Sequence, residues 1–304
     1  SKVLVAQHTF GLPANLDEIM AIAKEHNLIV IEDCAHALGA EYKYFNTSKY
    51  GSKENLQKVG TFGDVAFFSF SRDKVISSVY GGIAVTNDEN MAKKLEQSQK
   101  EFGQPSLFWI KQQILHPILL HYIILPLYKF IDLGKLFLIF SQWMHLLSKA
   151  VSWQEKRGLR PDYFPRALPN ALAIMAQNQF NKLDIFNAHR KEIAKFYYKE
   201  LENTQFGLPQ KEGNIFLRFT ITHPKTHEIL YEAWHKENIL LGDWYTSVIA
   251  PHDTQLDKMR YKLGTCPNAE NLTQKTLNLP THINISLHPR SGHAISDAQR
   301  IVSF

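Results

Sequence analysis

Over its first hundred residues the chain alternates two kinds of apolar pattern. Runs at 2–7, 28–32, 65–70 and 82–86 are five or six residues long, rich in Val, Ile, Phe and Ala, which predicts strands. The stretches 16–26 and 88–102 repeat apolar positions at helical spacing and predict helices. Strands and helices in alternation predict an α/β unit with an open, mostly parallel sheet. The polar stretch 42–58, containing Asn46, Ser48, Gly51 and Ser52, reads as a surface loop insertion.

From 107 to 147 the pattern changes. Leu107-Phe108-Trp109-Ile110 leads into two apolar runs, 114–128 and 133–147, interrupted by His116, Pro117, His121, Pro126 and Lys135. A spanning helix needs about twenty predominantly apolar residues, so these runs do not read as a transmembrane helix. Two alternatives stand: helices lying in a membrane interface, with Trp109, Trp143, Lys111, Lys129 and Lys135 at headgroup depth, or a helical insertion buried against a partner subunit or over a missing N-terminal portion. Farther on, Leu172, Met175, Phe180, Leu183, Phe186 and Ile193 recur on one face of a single helix predicted over 171–201. A strand at 215–221, a helix at 225–237 and a short strand ending in Leu279-Pro280 then predict a smaller α+β unit. The chain divides accordingly into a large-domain part at 1–102, an apolar helical insertion at 103–160, and a connecting helix with a small domain at 161–304.

Composition narrows the classes. A length of 304 residues accommodates a large and a small domain. The 34 Lys and Arg against 29 Asp and Glu leave a formal charge of +5, which suits anionic substrates or an acidic membrane surface, whereas nucleic acid would call for a more concentrated basic stripe. Cys34 and Cys266 make no disulfide framework, which points to a reducing, cytoplasmic compartment, peripheral at the inner membrane face if the apolar helices meet lipid. The histidines show no metal-binding spacing, so no metal is expected. The opening residues lack the anatomy of a signal peptide.

Two segments carry the chemistry. Val30-Ile31-Glu32-Asp33-Cys34-Ala35-His36 and Phe67-Phe68-Ser69-Phe70-Ser71-Arg72-Asp73-Lys74 each place a reactive side chain just past an apolar strand, where open α/β sheets hold ligands. An acid after one strand and an amine after a neighbouring one suit a cofactor with a basic ring nitrogen at one end and an aldehyde at the other, which is pyridoxal phosphate. Asp33 would keep the ring nitrogen protonated, so that the ring accepts electrons from a neighbouring carbanion. Lys74, its pKa lowered by a low-dielectric pocket, would be the nucleophile and then the proton carrier. Taken singly, such an Asp is as readily a helix cap and such a Lys a solvated charge.

These segments, with Gln7-His8-Thr9-Phe10-Gly11-Leu12-Pro13, Gly60-Thr61-Phe62-Gly63-Asp64 and Gly81-Gly82-Ile83-Ala84-Val85-Thr86-Asn87-Asp88, resemble the DegT/DnrJ/EryC1/StrS sugar aminotransferases. The resemblance implies the pyridoxal-phosphate-dependent transferase fold of type I, with a mostly parallel large domain and a smaller α+β C-terminal domain. It implies Asp33 on the pyridinium nitrogen, His36 beside the ring, Ser69 on the phosphate and Lys74 as the Schiff-base lysine. His8 falls near the active site, and Trp244 and Tyr245 fall where a loop faces the sugar. The activity implied is transfer of an amino group, from glutamate, to a nucleotide-linked keto-sugar in glycan or polysaccharide biosynthesis, by a homodimer. Retention of Lys74 speaks against the dehydratases of the group, which carry His there.

The chain also departs from the pattern. In relatives, about a hundred residues precede the opening strand and include a Gly-Ser or Gly-Thr phosphate loop at a helix N-terminus, so the chain reads as N-terminally incomplete. Pro165-Arg166-Ala167 stands where relatives have Asn-Tyr-Arg, with Arg166 as the substitute cation. Both departures leave open a non-catalytic protein of the same fold with an interaction role.

Overall fold

The computed structural model describes residues 1–48, 51–127, 133–161, 163–289 and 296–303. The opening part is built from β1 (Val3–Gln7), α1 (Leu16–Glu25), β2 (Ile29–Asp33), β3 (Glu41–Ser48), β4 (Gly51–Lys58), β5 (Val65–Ser69), β6 (Gly82–Val85) and α2 (Glu89–Phe102). The main sheet has the order β1-β2-β5-β6. β1 pairs with β2 and β2 with β5 in parallel, with Asp33 opposite both Gln7 and Phe67, while β6 runs antiparallel to β5. The predicted mostly parallel sheet is therefore present, with one reversed edge strand.

The expected loop at 42–58 is instead the β3-β4 hairpin, in antiparallel register from Glu41 opposite Lys58 to Ser48 opposite Gly51. Its polar composition hid a period-two pattern: Tyr42 and Tyr44 point the same way, and both meet the edge of Phe62 at 5.7 and 5.6 Å between ring centres.

The inserted segment forms α3 (Leu107–Leu119), a π-helical turn at Leu120–Ile124, α4 (Leu125–Leu127) and α5 (Leu133–Trp143). Lys129 of the expected basic flank lies outside the described residues. No described helix is long and apolar enough to cross a membrane.

The predicted single helix 171–201 is two helices, α6 (Asn170–Phe180) and α7 (Leu183–Leu201). Asn181 accounts for the break: its side-chain oxygen accepts from the Gln177 amide nitrogen at 3.1 Å, and Lys182 N–H turns back to Gln179 O at 3.0 Å. The C-terminal part holds β7 (Phe219–Thr222), α8 (Thr226–His235), α9 (Pro267–Thr273), β8 (Thr276–Leu279) and α10 (Asp297–Val302). The predicted strand 215–221 is shortened because Phe216 takes a left-handed φ of 54° and Ile215 N–H bonds to Gly11 O instead of a strand neighbour. Gly11 itself has φ +95°, and a Cβ there would lie 2.5 Å from Ile215, so the turn after β1 requires glycine.

Two cores result. One gathers Ala6, Leu16, Ala37, Ala66, Val75 and Ile76 beneath the main sheet and is joined by Leu183, Ile215 and Leu217. The other surrounds Tyr197 and Phe219, where α7, β7, β8 and α10 meet. Helix α7 contributes to both and ties the two parts together.

Candidate active site

The C-terminal ends of parallel strands β1, β2 and β5 lie side by side and deliver His8, Asp33 and Ser69 to one edge of the sheet. Alternation along β2 sends Glu32 and Asp33 to opposite faces.

Glu32 is fully buried and its carboxylate is saturated. Oε1 accepts from Phe62 N–H and Gly63 N–H, and Oε2 from Gly60 N–H, each at 2.7 Å, while His8 Nε2 lies 3.2 Å from Oε2. Burial alone would raise its pKa, but His8 and the three amides hold it below the ordinary value. Glu32 thus pins the turn before β5 against β2. His8 is equally buried, and its Nδ1 accepts from Ala14 N–H at 3.0 Å. Expected near substrate, His8 is instead committed at both ring nitrogens to the scaffold.

Ligand atoms of His8, Glu32 and Cys34 lie within 4.8 Å of one another. The arrangement suits a hydrogen-bonded core better than a metal centre. The carboxylate is already satisfied, and burial, followed by the charges of Glu32 and Asp33, pushes the Cys34 thiol pKa up, away from the thiolate a metal requires.

Asp33 is half-buried, and its Oδ1 accepts from Ala35 N–H at 3.0 Å. Among the described residues Oδ2 has no hydrogen-bond donor, which leaves one acceptor available. Lys74 sits in the loop that folds back over the end of β5, fastened by Phe70 N–H to Gly81 O and Ser78 N–H to Phe70 O, both at 2.8 Å. Burial lowers the pKa of its amine, and Asp33 and Asp73 oppose that shift through their charges. The acid and the amine therefore share one electrostatic neighbourhood. Among the described residues the Lys74 amine has no hydrogen-bond partner. Ser69 Oγ accepts from Ser71 N–H at 3.3 Å and keeps its own proton to donate.

The two loops are braced from behind by α7. Arg190 donates to Val75 O, next to Lys74, and to Asn187 Oδ1, both at 2.8 Å, while Asn187 Nδ2 reaches Leu38 O at 3.1 Å in the loop after Asp33. One buried pair on one helix therefore sets the spacing between the acid's loop and the amine's loop.

His36, Phe10, Tyr245 and Trp244 form a closed ring of stacked aromatics. Phe10 lies 5.6 Å from His36 and 5.2 Å from Tyr245, and Trp244 lies 6.4 Å from His36 and 5.7 Å from Tyr245. His36 Nδ1 accepts from Phe10 N–H at 3.3 Å, so the proton of the neutral ring sits on Nε2. Burial first, then the charges of Lys74 and Arg218, push the His36 pKa down to about 3. The imidazole is neutral and serves as a donor and a stacking surface rather than as a charge.

Arg218 was not singled out by sequence reasoning. It pairs with Asp73 at 3.6 Å and lies over Trp244 at 5.5 Å, and its charge also bears on Tyr245. The available signal was a lone cation inside the apolar run Ile215-Phe216-Leu217-Arg218-Phe219. Of the expected residues, then, Asp33, His36, Lys74, Trp244 and Tyr245 converge, Ser69 lies at the adjoining strand end, and His8 stands behind them. Arg166 instead donates to Phe102 O at 2.9 Å and lines a cavity of about 980 Å³ on the inserted helices.

A model described as the DegT/DnrJ/EryC1/StrS aminotransferase family matches residues 1–110 and 163–290. The chain is 26% identical over 284 residues to UDP-N-acetyl-3-dehydro-alpha-D-glucosamine 3-aminotransferase of Acidithiobacillus ferrooxidans, covering 92% of this chain and 59% of that protein. Against GDP-perosamine synthase of Escherichia coli O157:H7 the identity is 42% over 91 residues, 30% of this chain and 22% of the relative. Among solved structures, Helicobacter pylori PseC, an aminotransferase involved in the biosynthesis of pseudoaminic acid, superposes with a TM-score of 0.65 at 20% identity, covering all of this chain and 65% of that one. The fold is thus that of this group, and the chain spans about three fifths of the length of the curated relatives it matches.

The donor set fits pyridoxal phosphate, the cofactor of these enzymes. A free carboxylate oxygen on Asp33 suits a ring N–H, an unpartnered amine of lowered basicity on Lys74 suits an aldehyde, and a hydroxyl proton on Ser69 suits a phosphate oxygen.

Proposed function

We propose that this chain, which belongs to the DegT/DnrJ/EryC1/StrS aminotransferase family, transfers an amino group from glutamate to a nucleotide-linked keto-sugar. The observation that carries the reading is the pairing of Asp33 and Lys74 across adjacent strand ends, each with a valence open and each within the other's field. Relatives whose names specify a UDP-linked 3-keto-sugar or a GDP-linked amino-sugar support the substrate class.

When bound, pyridoxal phosphate supplies an electron sink for the carbon that loses its proton. The rest belongs to this chain's residues. Asp33 Oδ2 would hold the proton of the ring nitrogen. Ser69 Oγ would donate to the phosphate, and the neutral His36 would offer a stacking surface and its Nε2 proton. The Lys74 amine, its pKa lowered by burial, would take and return the proton at the substrate carbon. Trp244 and Tyr245 form the wall against which a pyranose stacks, and Arg218 supplies the cation for an anionic group of donor or nucleotide. Two copies pair as a homodimer, in a reducing compartment, and the inserted helices contact a membrane.

Incubation with pyridoxal phosphate, glutamate and a panel of UDP-, GDP- and dTDP-linked keto-hexoses, read by mass spectrometry, tests the reading. It predicts an amino-sugar with at least one acceptor and none with Lys74→Ala. Absence of product from every acceptor, with glutamate left unconverted, contradicts it.

A further inference from the structure

The inserted helices are inside out. In α5 the side facing the protein carries Gly134 and Ser141, both buried, whereas Leu136, Ile139, Phe140 and Trp143 are 61%, 55%, 51% and 72% exposed. Those four positions are spaced i, i+3, i+4 and i+7, which is one continuous apolar face pointing outward. In α3 the buried side carries Gln113 and His116, while Leu107, Phe108 and Ile118 are exposed. Gln113 is tied inward: Ser148 Oγ donates to its Oε1 at 2.8 Å, and Arg72 donates to Ser148 O at 2.8 Å, whereas His116 Nδ1 and Ser141 Oγ are buried without a hydrogen-bond partner among the described residues. The insertion is therefore bolted by its polar side to the loop that carries Lys74, with its apolar side free. A face of this kind needs an apolar partner, because isolated monomers do not expose contiguous apolar stripes of this length.

Charge identifies the partner. Residues 103–160 hold seven Lys and Arg against two acids, Asp132 and Glu155, an excess of five that equals the formal excess of the whole chain. Lys111 is exposed and stands on the same helical face as Leu107 and Ile118, and Lys135 flanks the α5 stripe. Lys135 at the edge of the α5 stripe and Trp143 at the helix end match the depth profile of a bilayer interface, and Lys111 between Leu107 and Ile118 reaches the headgroups by its long stem. A second copy of the chain would bring like charges together on this face.

We infer that α3 and α5 lie in the plane of an anionic lipid bilayer, with Leu107, Ile118, Leu136, Ile139, Phe140 and Trp143 in the acyl boundary and the lysines on lipid phosphates. This deepens the membrane contact of the reading above, and the Arg72–Ser148 contact ties the Lys74 loop to the lipid-bound helices.

The test is vesicle flotation of the full chain. Phosphatidylcholine vesicles containing about 30% phosphatidylglycerol are predicted to retain it at least about tenfold better than phosphatidylcholine alone, with the difference shrinking as salt rises. The double variant Leu136→Glu, Phe140→Glu is predicted to lose about tenfold of that binding while its thermal unfolding stays unchanged. Equal retention of the double variant, or no binding of the wild type to anionic vesicles, overturns the inference. So does an oligomer in solution that the double variant dissociates while vesicles bind neither form, since the face is then covered by a second copy. Lys74→Ala is predicted to float like the wild type, so flotation of both forms with no amino transfer by the wild type counts against the aminotransferase reading alone.

Discussion

The strand-end site and the inserted helices solve the burial of polar groups in opposite ways. At the site, a fully buried carboxylate is stabilised because three backbone amides and a histidine meet it, and around it the apolar residues point inward. In the insertion, polar Gln113 and Ser141 point inward and the large apolar side chains point out. The first arrangement makes sense in water with no further partner. The second leaves an apolar face that calls for an apolar partner. The family model skips the second region, matching up to residue 110 and again from 163, so the inversion belongs to a part of the chain that the shared aminotransferase pattern does not dictate.

The comparison breaks most sharply at Lys74. Lys74→Ala is predicted to lower amino transfer by about 10²–10⁴-fold or more, with unfolding little changed, because the amine, the proton carrier of the proposed reaction, has no structural partner among the described residues. Glu32 should behave in the reverse way. Glu32→Ala is predicted to cost about 3–5 kcal/mol in denaturant unfolding, since it strands His8 and three amide donors in the core. A loss under about 1 kcal/mol would show that the turn before β5 does not depend on it.

Acid sensitivity comes next; it arises in both regions, since burial and then the charge of Arg72 push the pKa of His116 in the insertion down to about 4. His36 is neutral in the folded chain, with its pKa pushed from 6.5 to about 3 by burial and then by Lys74 and Arg218. In the unfolded chain it takes up a proton near 6.5, so its contribution to stability is present above that pH and is lost progressively as pH falls toward 3. The depressed carboxylate of Glu32 adds a loss of the same sign below its ordinary value of 4.5. Urea midpoints between pH 7 and 4 should therefore fall for the wild type and fall less steeply for His36→Asn. Parallel curves would remove His36 as the cause.

The smallest effect is the most telling for the insertion. Leu136→Glu is predicted to change stability by no more than about 0.5 kcal/mol, although it replaces a large apolar side chain by a charge. Leu172→Glu, at a fully buried position on α6, is predicted to unfold the chain. If Leu136→Glu is comparably damaging, the outward face of α5 is packed in solution and the comparison fails.

Much of the site was legible because its chemistry is written in two short segments that strand pairing brings together. Asp33 and Lys74 follow apolar runs whose parallel pairing could be expected, and Trp244 and Tyr245 arrive from the small domain as the resemblance implied. What sequence could not reveal is side-chain direction across long separations. His8 looked like a substrate contact and proved to be a scaffold residue because its partner, Glu32, lies 24 residues away on the inner face of β2. Arg218 and Arg190 act on loops more than a hundred residues earlier, and nothing local marks them. The β3-β4 hairpin was hidden by polar composition, since a two-stranded ribbon leaves half its side chains in water and its alternation is easily read as a loop. The inverted helices have a strong apolar signal whose spacing does not say which side is inside, and only their packing reveals it.

The central claim is that Lys74 is the amine that meets the cofactor aldehyde. The most direct measurement is borohydride reduction of the full chain with pyridoxal phosphate, followed by peptide mass mapping beside Lys74→Ala. The account predicts a long-wavelength absorbance band before reduction and a single stable pyridoxyl adduct on the peptide containing Lys74, with both absent from the variant. Adducts scattered over surface lysines, or an undiminished band in Lys74→Ala, would contradict it.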